Sequence, residues 1–449
     1  MVSTPLVCTE CGHRSIQWMG RCPSCKAWES FAQDDAPSSG PTPEVAAGTT
    51  VEIGRVAFEH TERISTGLNE LDRVLGGGLV AGSVVLLAGE PGVGKSTLLL
   101  QAAAGIEQSG REVLIVCGEE SLEQVATRAR RLGGPLSARL TAATEVPSIL
   151  PLIGGAHVLL VDSVQTLRDG YSGAEPGSVS QVRRCAAELT AAAREHGCAV
   201  ILVGHITKDG SIAGPRSLEH LVDAVVTFEG DRGHVLRTVR GIKNRFGPAA
   251  EMGVFEMGSK GLSEVPDASQ FFLAERPQGV AGSAVGCILE GRRPVALEVQ
   301  ALAVFSTAAL PRRVAQGIES SRLGLALAVL ERRAGIELGR FDVYCSIAGG
   351  LRAAEPGIDL ALSLALASAR LDVVLPAGMA AVGEVGLGGE VRSVAGMQAR
   401  VTELTRLGFT TILTPALGAL EGPTRISQRD PKAVVPVRSI HEAFTGLLK

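Results

Sequence analysis

Eight residues, GEPGVGKS (Gly89 to Ser96), constrain this chain more than any other feature. The apolar run VVLLA precedes them and the helix-forming TLLLQAAAG follows, so the spacing G-x-x-x-x-G-K-[ST] falls where a strand turns into a helix. Glycines at Gly89, Gly92 and Gly94 let successive backbone N–H groups converge on a phosphate at the helix N-terminus. Lys95 is then expected to reach the β/γ-phosphates and Ser96 to hold Mg2+. The candidate binding loop for ATP or ADP is Gly89, Glu90, Pro91, Gly92, Val93, Gly94, Lys95, Ser96 and Thr97. Such a loop requires an open parallel α/β sheet around it.

Three later apolar runs agree with that sheet. EVLIVCGEES ends on Glu119 and Glu120, HVLLVDSVQT on Asp162, and AVILVGHITKDG on Gly204 and His205. In an open parallel sheet the C-terminal strand ends share one crevice, which would gather lysine, glutamate, aspartate and histidine around one γ-phosphate. Asp162 has the pattern of the acidic residue that positions Mg2+ through water. Glu119 is the first candidate for the base that orients the attacking water, with Glu120 as its alternative. His205 reads either as a γ-phosphate sensor or as a hydrogen-bonded structural histidine. Two long Gly/Ser-rich loops leave the same edge, LRDGYSGAEPGSVSQVRR and TKDGSIAGPRSLEH. They carry Arg168, Tyr171, Arg183, Arg184, Lys208 and Arg216, candidate contacts to a phosphate backbone or else a solvated surface.

The remaining organisation follows from composition and cysteine spacing. A chain of 449 residues exceeds one ordinary core. The net charge of −4 gives no global sign of nucleic-acid binding, so local patches would have to supply it. CTECGHRSIQWMGRCPSCKAW contains two C-x-x-C pairs, Cys8/Cys11 and Cys22/Cys25. Two such knuckles complete a tetrahedral sulfur site suited to Zn2+. The start of the chain lacks the basic and apolar regions of a signal peptide, and no apolar run is long enough for a membrane span, so a cytoplasmic protein without membrane partners is expected. The expected boundaries are a four-cysteine zinc finger at 1–30, a Pro/Gly/Ser/Thr-rich tether at 31–57, the ATPase domain at 58–265, a linker at 266–279, and a second α/β domain at 280–449.

These motifs occur in a recognisable order. ISTGLNELDRVLGGGL ahead of the phosphate loop resembles the RecA-type ATPase fold. Together with the cysteine cluster, VDSVQT, GSVSQVR, AGPRSLEHLVDAVVTFEGD and KNRFG, it resembles the bacterial RadA (Sms) family of DNA repair proteins over essentially the whole chain. The resemblance implies a DNA-dependent ATPase that acts on single-stranded and branched DNA. It also implies branch migration alongside RecA on RecA-coated intermediates, and a hexameric ring. In RecA-type rings ATP lies at a subunit boundary. The resemblance therefore places Lys243 and Arg245 of KNRFG at a neighbour's γ-phosphate, with DNA as the second reading and a plain basic turn as the third.

The C-terminal part resembles the Lon-type peptidase domain through GLRAAEPGIDLALSLALASARL and AVGEVGLGGEVRSVAG. Aligned on those pieces, Gly357 stands where the nucleophilic serine belongs and Gln398 where its lysine belongs. No lysine lies between Lys260 and Lys432, and His441 is the only histidine after His234, so no base comes near a serine in sequence. The domain is expected to be a non-proteolytic scaffold or DNA collar. Three functions follow in order: a ring motor on DNA, a Lon-like ATP-dependent protease, and a regulatory ATPase acting on protein partners.

Overall fold

The computed structural model describes residues 6–15, 17–33, 62–134, 137–171, 173–205, 218–230, 235–416 and 434–445. Packing divides the chain into two units. Met1–Glu229 with Gly241–Gly247 forms one, and Gly230–Arg240 with Pro248–Lys449 forms the other.

The first unit is built on a parallel sheet. Its strands run in the order Ala224–Glu229, Val84–Gly89, Ala199–His205, Val158–Asp162, Val113–Cys117 and Arg139–Thr141. The central ones are continuous buried runs such as VVLLAG and VLIVC, as strands covered on both faces must be. Register aligns Gly89 with both His205 and Phe228, and Cys117 with Asp162, so the polar strand ends gather at one edge. The helix Lys95–Gln108 buries Leu98, Leu99, Ala102, Ala103 and Ile106, and Val179–His196 buries Val182, Cys185, Ala186, Leu189 and Ala193. Both show the 3.6-residue apolar period that seats a helix on a sheet.

Also in this unit, the strands Leu6–Cys8, Arg14–Ser15 and Phe31–Gln33 form a small antiparallel sheet. Phe31 is buried with Cys8 and Cys22, so the cysteine module runs to Gln33 rather than ending at residue 30. Residues 34–57 of the expected tether, 31–57, lie outside the described residues.

In the second unit, Ser283–Glu290, Arg293–Phe305, Phe341–Ile347 and Arg313–Gln316 form a four-stranded sheet against which the helix Asp359–Leu371 is buried. A parallel trio, Met379–Ala381, Thr411–Pro415 and Val434–Val437, completes it. Two expected boundaries differ. The hairpin strands Met252–Gly258 and Gly261–Glu264, expected inside 58–265, pack with this unit because Met252 and Val254 share its core with Ile288, Val295 and Leu297. The expected linker at 266–279 contains the helix Ala268–Leu273, capped by the Asp267 side chain and anchored by buried Ala268 and Phe272. Among the described residues no helix is long and apolar enough to cross a membrane.

Candidate functional site

The glycine-rich turn after Val84–Gly89 ends on Gly94, whose φ of 114° requires glycine, and the helix begins at Lys95. Lys95 is buried, and its Nζ donates to the carbonyl oxygens of Gly89 and Glu90, each at 2.9 Å. Burial pushes its ammonium pKa down, while Asp162 and Glu119 push it back up. A cation desolvated in this way is primed to meet an anionic ligand.

Lys95, Ser96, Glu119, Asp162 and His205 come together at the C-terminal strand edge. Burial raises the Asp162 carboxyl, and the Ser96 hydroxyl bonds to it. Asp162 Oδ1 is buried with no hydrogen-bond partner. A hydroxyl beside a carboxylate with an orphaned oxygen fits Mg2+ and its waters. Glu119 accepts hydrogen bonds from Ser163 Oγ at 2.5 Å and His205 Nε2 at 2.6 Å. Burial would raise its pKa, yet those two bonds, with the charges of His205 and Lys95, hold it below the usual carboxylate range. Glu120 pairs with Arg128 at 2.6 Å. A cavity of about 30 Å3 touched by Ser96, Glu119, Glu120 and Asp162 has room for a water.

Seven buried side-chain polar atoms lack a partner among the described residues, and four of them surround this edge: Asp162 Oδ1, Gln165 Oε1, His205 Nδ1 and Thr227 Oγ1. Orphaned polar atoms cost stability unless a ligand or water completes them, so their clustering marks a binding site. Ser163, Gln165 and Thr227 were not singled out from sequence. The signal lay in VDSVQT, whose residues after the aspartate do separate jobs: Thr166 Oγ1 donates to the Ser163 carbonyl at 2.8 Å, and Ser163 Oγ meets Glu119.

Lys243 and Arg245 do not join this edge. They lie at the other end of the central strand, where Lys243 Nζ donates to the carbonyls of Glu219 and, at 2.8 Å, Val222. Arg245 pairs with Asp223 at 3.1 Å, and Asp223 accepts the N–H of Val84, the strand's first residue. Of the candidate nucleic-acid contacts, Arg168, Tyr171, Arg183 and Arg184 are exposed beyond Asp162, and Arg184 lies 3.5 Å from Asp169. Lys208 and Arg216 lie outside the described residues.

The Sγ atoms of Cys8, Cys11, Cys22 and Cys25 all lie within 4.8 Å of one another, with Cys8–Cys25 at 3.6 Å and Cys11–Cys22 at 3.5 Å. A tetrahedral zinc site with Zn–S near 2.3 Å has sulfur edges of about 3.8 Å. Burial pushes the Cys8 thiol up, but bonds with Ser30 and the backbone bring it down to about 6. A backbone bond at Ala27 holds Cys25 down, but burial and the other three sulfurs drive it up to about 12. Without a cation the four sulfurs cannot all ionise together, which fits a site made for a divalent metal. Trp18 and Trp28 are exposed, with Arg21 stacked 5.5 Å over Trp28.

In the second unit the would-be nucleophile position is filled. Gly357 is buried, and a Cβ there would lie 2.7 Å from Arg400 Nη1 and 2.8 Å from Glu355 Oε1. Arg400 is fully buried and donates to both Glu355 oxygens and to the carbonyls of Cys287 and Ala395. Among the described residues Gln398 bonds along its own helix, to Thr402 at 3.4 Å.

Comparison with known proteins agrees with this geometry. A family model described as an AAA domain matches residues 51–211, and one described as a rubredoxin metal binding domain matches residues 7–33. The DNA repair protein RadA of Bacillus subtilis (strain 168) is 42% identical over 450 residues, covering 98% of this chain and 97% of its own. That of Mycobacterium tuberculosis (strain ATCC 25618 / H37Rv) is 47% identical over 417 residues, covering 91% and 87%. That of Halalkalibacterium halodurans is 44% identical over 453 residues, covering 98% of each.

Proposed function

The chain belongs to the RadA family of DNA repair proteins, and from that premise we propose that it works as a DNA-stimulated ring motor. It is an ATP hydrolase of DNA repair and recombination with an N-terminal zinc module, and it is not a protease. The proposal adds the ring, which we take to be hexameric. It also adds the substrates: single-stranded and branched DNA, RecA-coated intermediates, and branch migration on them in the cytoplasm.

One observation carries the ring. The cations of KNRFG sit at the start of the strand Val84–Gly89, and the phosphate loop follows its end. Five residue steps at about 3.3 Å make roughly 17 Å, beyond the reach of an arginine or lysine side chain. Lys243 and Arg245 are therefore assigned to a neighbour's ATP, where a cation supplied in trans stabilises transition-state charge and couples turnover to subunit motion.

Within one subunit the proposed chemistry runs as follows. The loop Gly89–Thr97 holds the triphosphate by its N–H groups and Lys95. Ser96 and Asp162 would hold Mg2+, which when bound would supply positive charge against that building on the phosphates. Glu119, ionised because Ser163 and His205 hold it so, takes the proton of the attacking water. His205 shares its Nε2–H with that carboxylate, so a change at the γ-phosphate reaches the end of the strand Ala199–His205. Exposed Arg168, Tyr171, Arg183 and Arg184 give a backbone-reading, stacking-capable surface on the same side, and Lys208 and Arg216, outside the described residues, are further candidate DNA contacts.

The test is ATP turnover alone, with single-stranded DNA and with a forked duplex, at fixed salt. Strong stimulation that vanishes in Lys95→Ala supports the motor. Turnover indifferent to every DNA would favour the regulatory ATPase instead.

A further inference from the structure

The basic turn on which the trans contact depends is held by one buried carboxylate. Asp223 is only 5% exposed. Its Oδ2 accepts the Val84 N–H at 3.1 Å, and its Oδ1 accepts Arg245 Nη1 at 3.1 Å and lies 3.7 Å from Arg194 Nη2. Its backbone carbonyl also accepts the Arg245 N–H at 3.1 Å. Arg245 is thus gripped twice by one residue, through main chain and side chain, while half of its own side chain stays exposed.

The rest of the turn is immobilised around that grip. Asn244 Nδ2 donates to the Val74 carbonyl at 3.3 Å, and its Oδ1 accepts the Phe246 N–H at 2.9 Å. Arg63 Nη2 donates to the Phe246 carbonyl at 2.5 Å. Gly247 lies so close to Gly76 that a Cβ would come within 3.0 Å of the Gly76 Cα. A surface arginine with no task would not need this clamp, since exposed pairs contribute little to stability. A guanidinium that must meet a reacting phosphate does need it, because misplacing a catalytic group by about 1 Å can cost about 100-fold in rate.

We propose that Asp223 is a positioning residue for hydrolysis at the neighbouring subunit's ATP: it aims the Arg245 guanidinium and fastens it to the first residue of the central strand. The inference rests on the trans reading above. It also supplies a physical link, because the strand that Asp223 holds at Val84 ends on the subunit's own phosphate loop. A shift of the loop moves the residue that aims the arginine at the next site.

Asp223→Asn keeps an oxygen for the Val84 N–H and removes the charge opposite Arg245. The full-length variant should bind MgATP as the parent does and turn it over about 10- to 100-fold more slowly. The deciding measurement mixes subunits. Lys95→Ala subunits are inactive but present an intact Arg245, so co-assembly with Asp223→Asn subunits should give turnover above the sum of the two alone. Lys95→Ala with Arg245→Ala is the reference pair. Complementation by the reference pair but not by Asp223→Asn would overturn the role of Asp223 while leaving the trans reading intact. Silence of the reference pair as well would remove the trans reading and this inference with it. Parental turnover in Asp223→Asn would also overturn it. Should Asp223→Asn fail to fold, Asp223→Glu, which keeps the charge and shifts the guanidinium by one methylene, must show a partial loss that the same mixture restores.

Discussion

Glu119→Gln separates chemistry from binding at the phosphate site. Both donors, Ser163 Oγ and His205 Nε2, address the same carboxylate oxygen, Oε1. A glutamine can present its carbonyl oxygen to both, so the loop keeps its shape and thermal stability should hardly change. What disappears is the base. General-base assistance contributes about 10²- to 10⁴-fold, and at 1.36 kcal/mol per decade that is about 2.7–5.4 kcal/mol of barrier. MgATP affinity should hold or improve, because one of the two negative charges facing Lys95 is gone. Single-turnover hydrolysis with saturating Mg2+, beside equilibrium nucleotide binding, reads both quantities. The control is Glu120→Gln, which loses only a partly exposed pair with Arg128. Such pairs are worth about 0.2–1 kcal/mol, so its turnover should stay within about fivefold. The pH profile adds a sign. Glu119 is held below the usual carboxylate range, so the base stays ionised as pH falls, and the acid limb of parental turnover should lie below the ordinary Glu value of about 4.3. Parental turnover in Glu119→Gln with collapse in Glu120→Gln would refute the assignment.

Two further outcomes test the other modules. The cysteine module has a core of little more than Cys8, Cys22 and Phe31, so metal supplies much of its folding energy; elemental analysis should find one zinc per chain in the parent and none in Cys22→Ser, and iron instead of zinc would refute the site. Gly357→Ser restores a serine at the peptidase-like turn but drives its Cβ to 2.7 Å from a buried guanidinium. Overpacking of that kind costs about 1–3 kcal/mol, so the variant should melt several degrees lower and cleave no unfolded casein, and any proteolysis would overturn the reading of this domain.

The phosphate loop, the two cysteine knuckles and the polar strand ends were legible because each is a local pattern whose chemistry fixes its spacing. The choice between Glu119 and Glu120 was not, since neighbouring residues at a strand end share every sequence cue; in space Glu119 accepts from Ser163 and His205 while Glu120 pairs with Arg128. The tether and linker boundaries missed for a related reason. Phe272 belongs to a core whose other members lie far along the chain, and Phe31 to one built mainly of cysteines, so low local apolar periodicity concealed both. Arg400 was invisible for the opposite reason. An arginine on a helix reads as solvated, yet its guanidinium is fully buried against Glu355, beside Gly357.

KNRFG shows why a motif can be recognised long before it is understood. Its residues do not act as one basic patch. Lys243 donates to carbonyls of the preceding turn, Asn244 ties the turn to Val74, Gly247 permits the close approach to Gly76, and the Arg245 side chain stays half exposed. The part that gives Arg245 its direction, Asp223, lies outside the motif and reads in sequence as an ordinary acid before a strand. Its importance follows from one backbone hydrogen bond, to Val84, which sets it at the foot of the strand that carries the phosphate loop at its head. On the proposed trans reading, one strand joins the place where a subunit holds its own nucleotide to the residue it offers its neighbour. Sequential firing around a ring requires a connection of that kind.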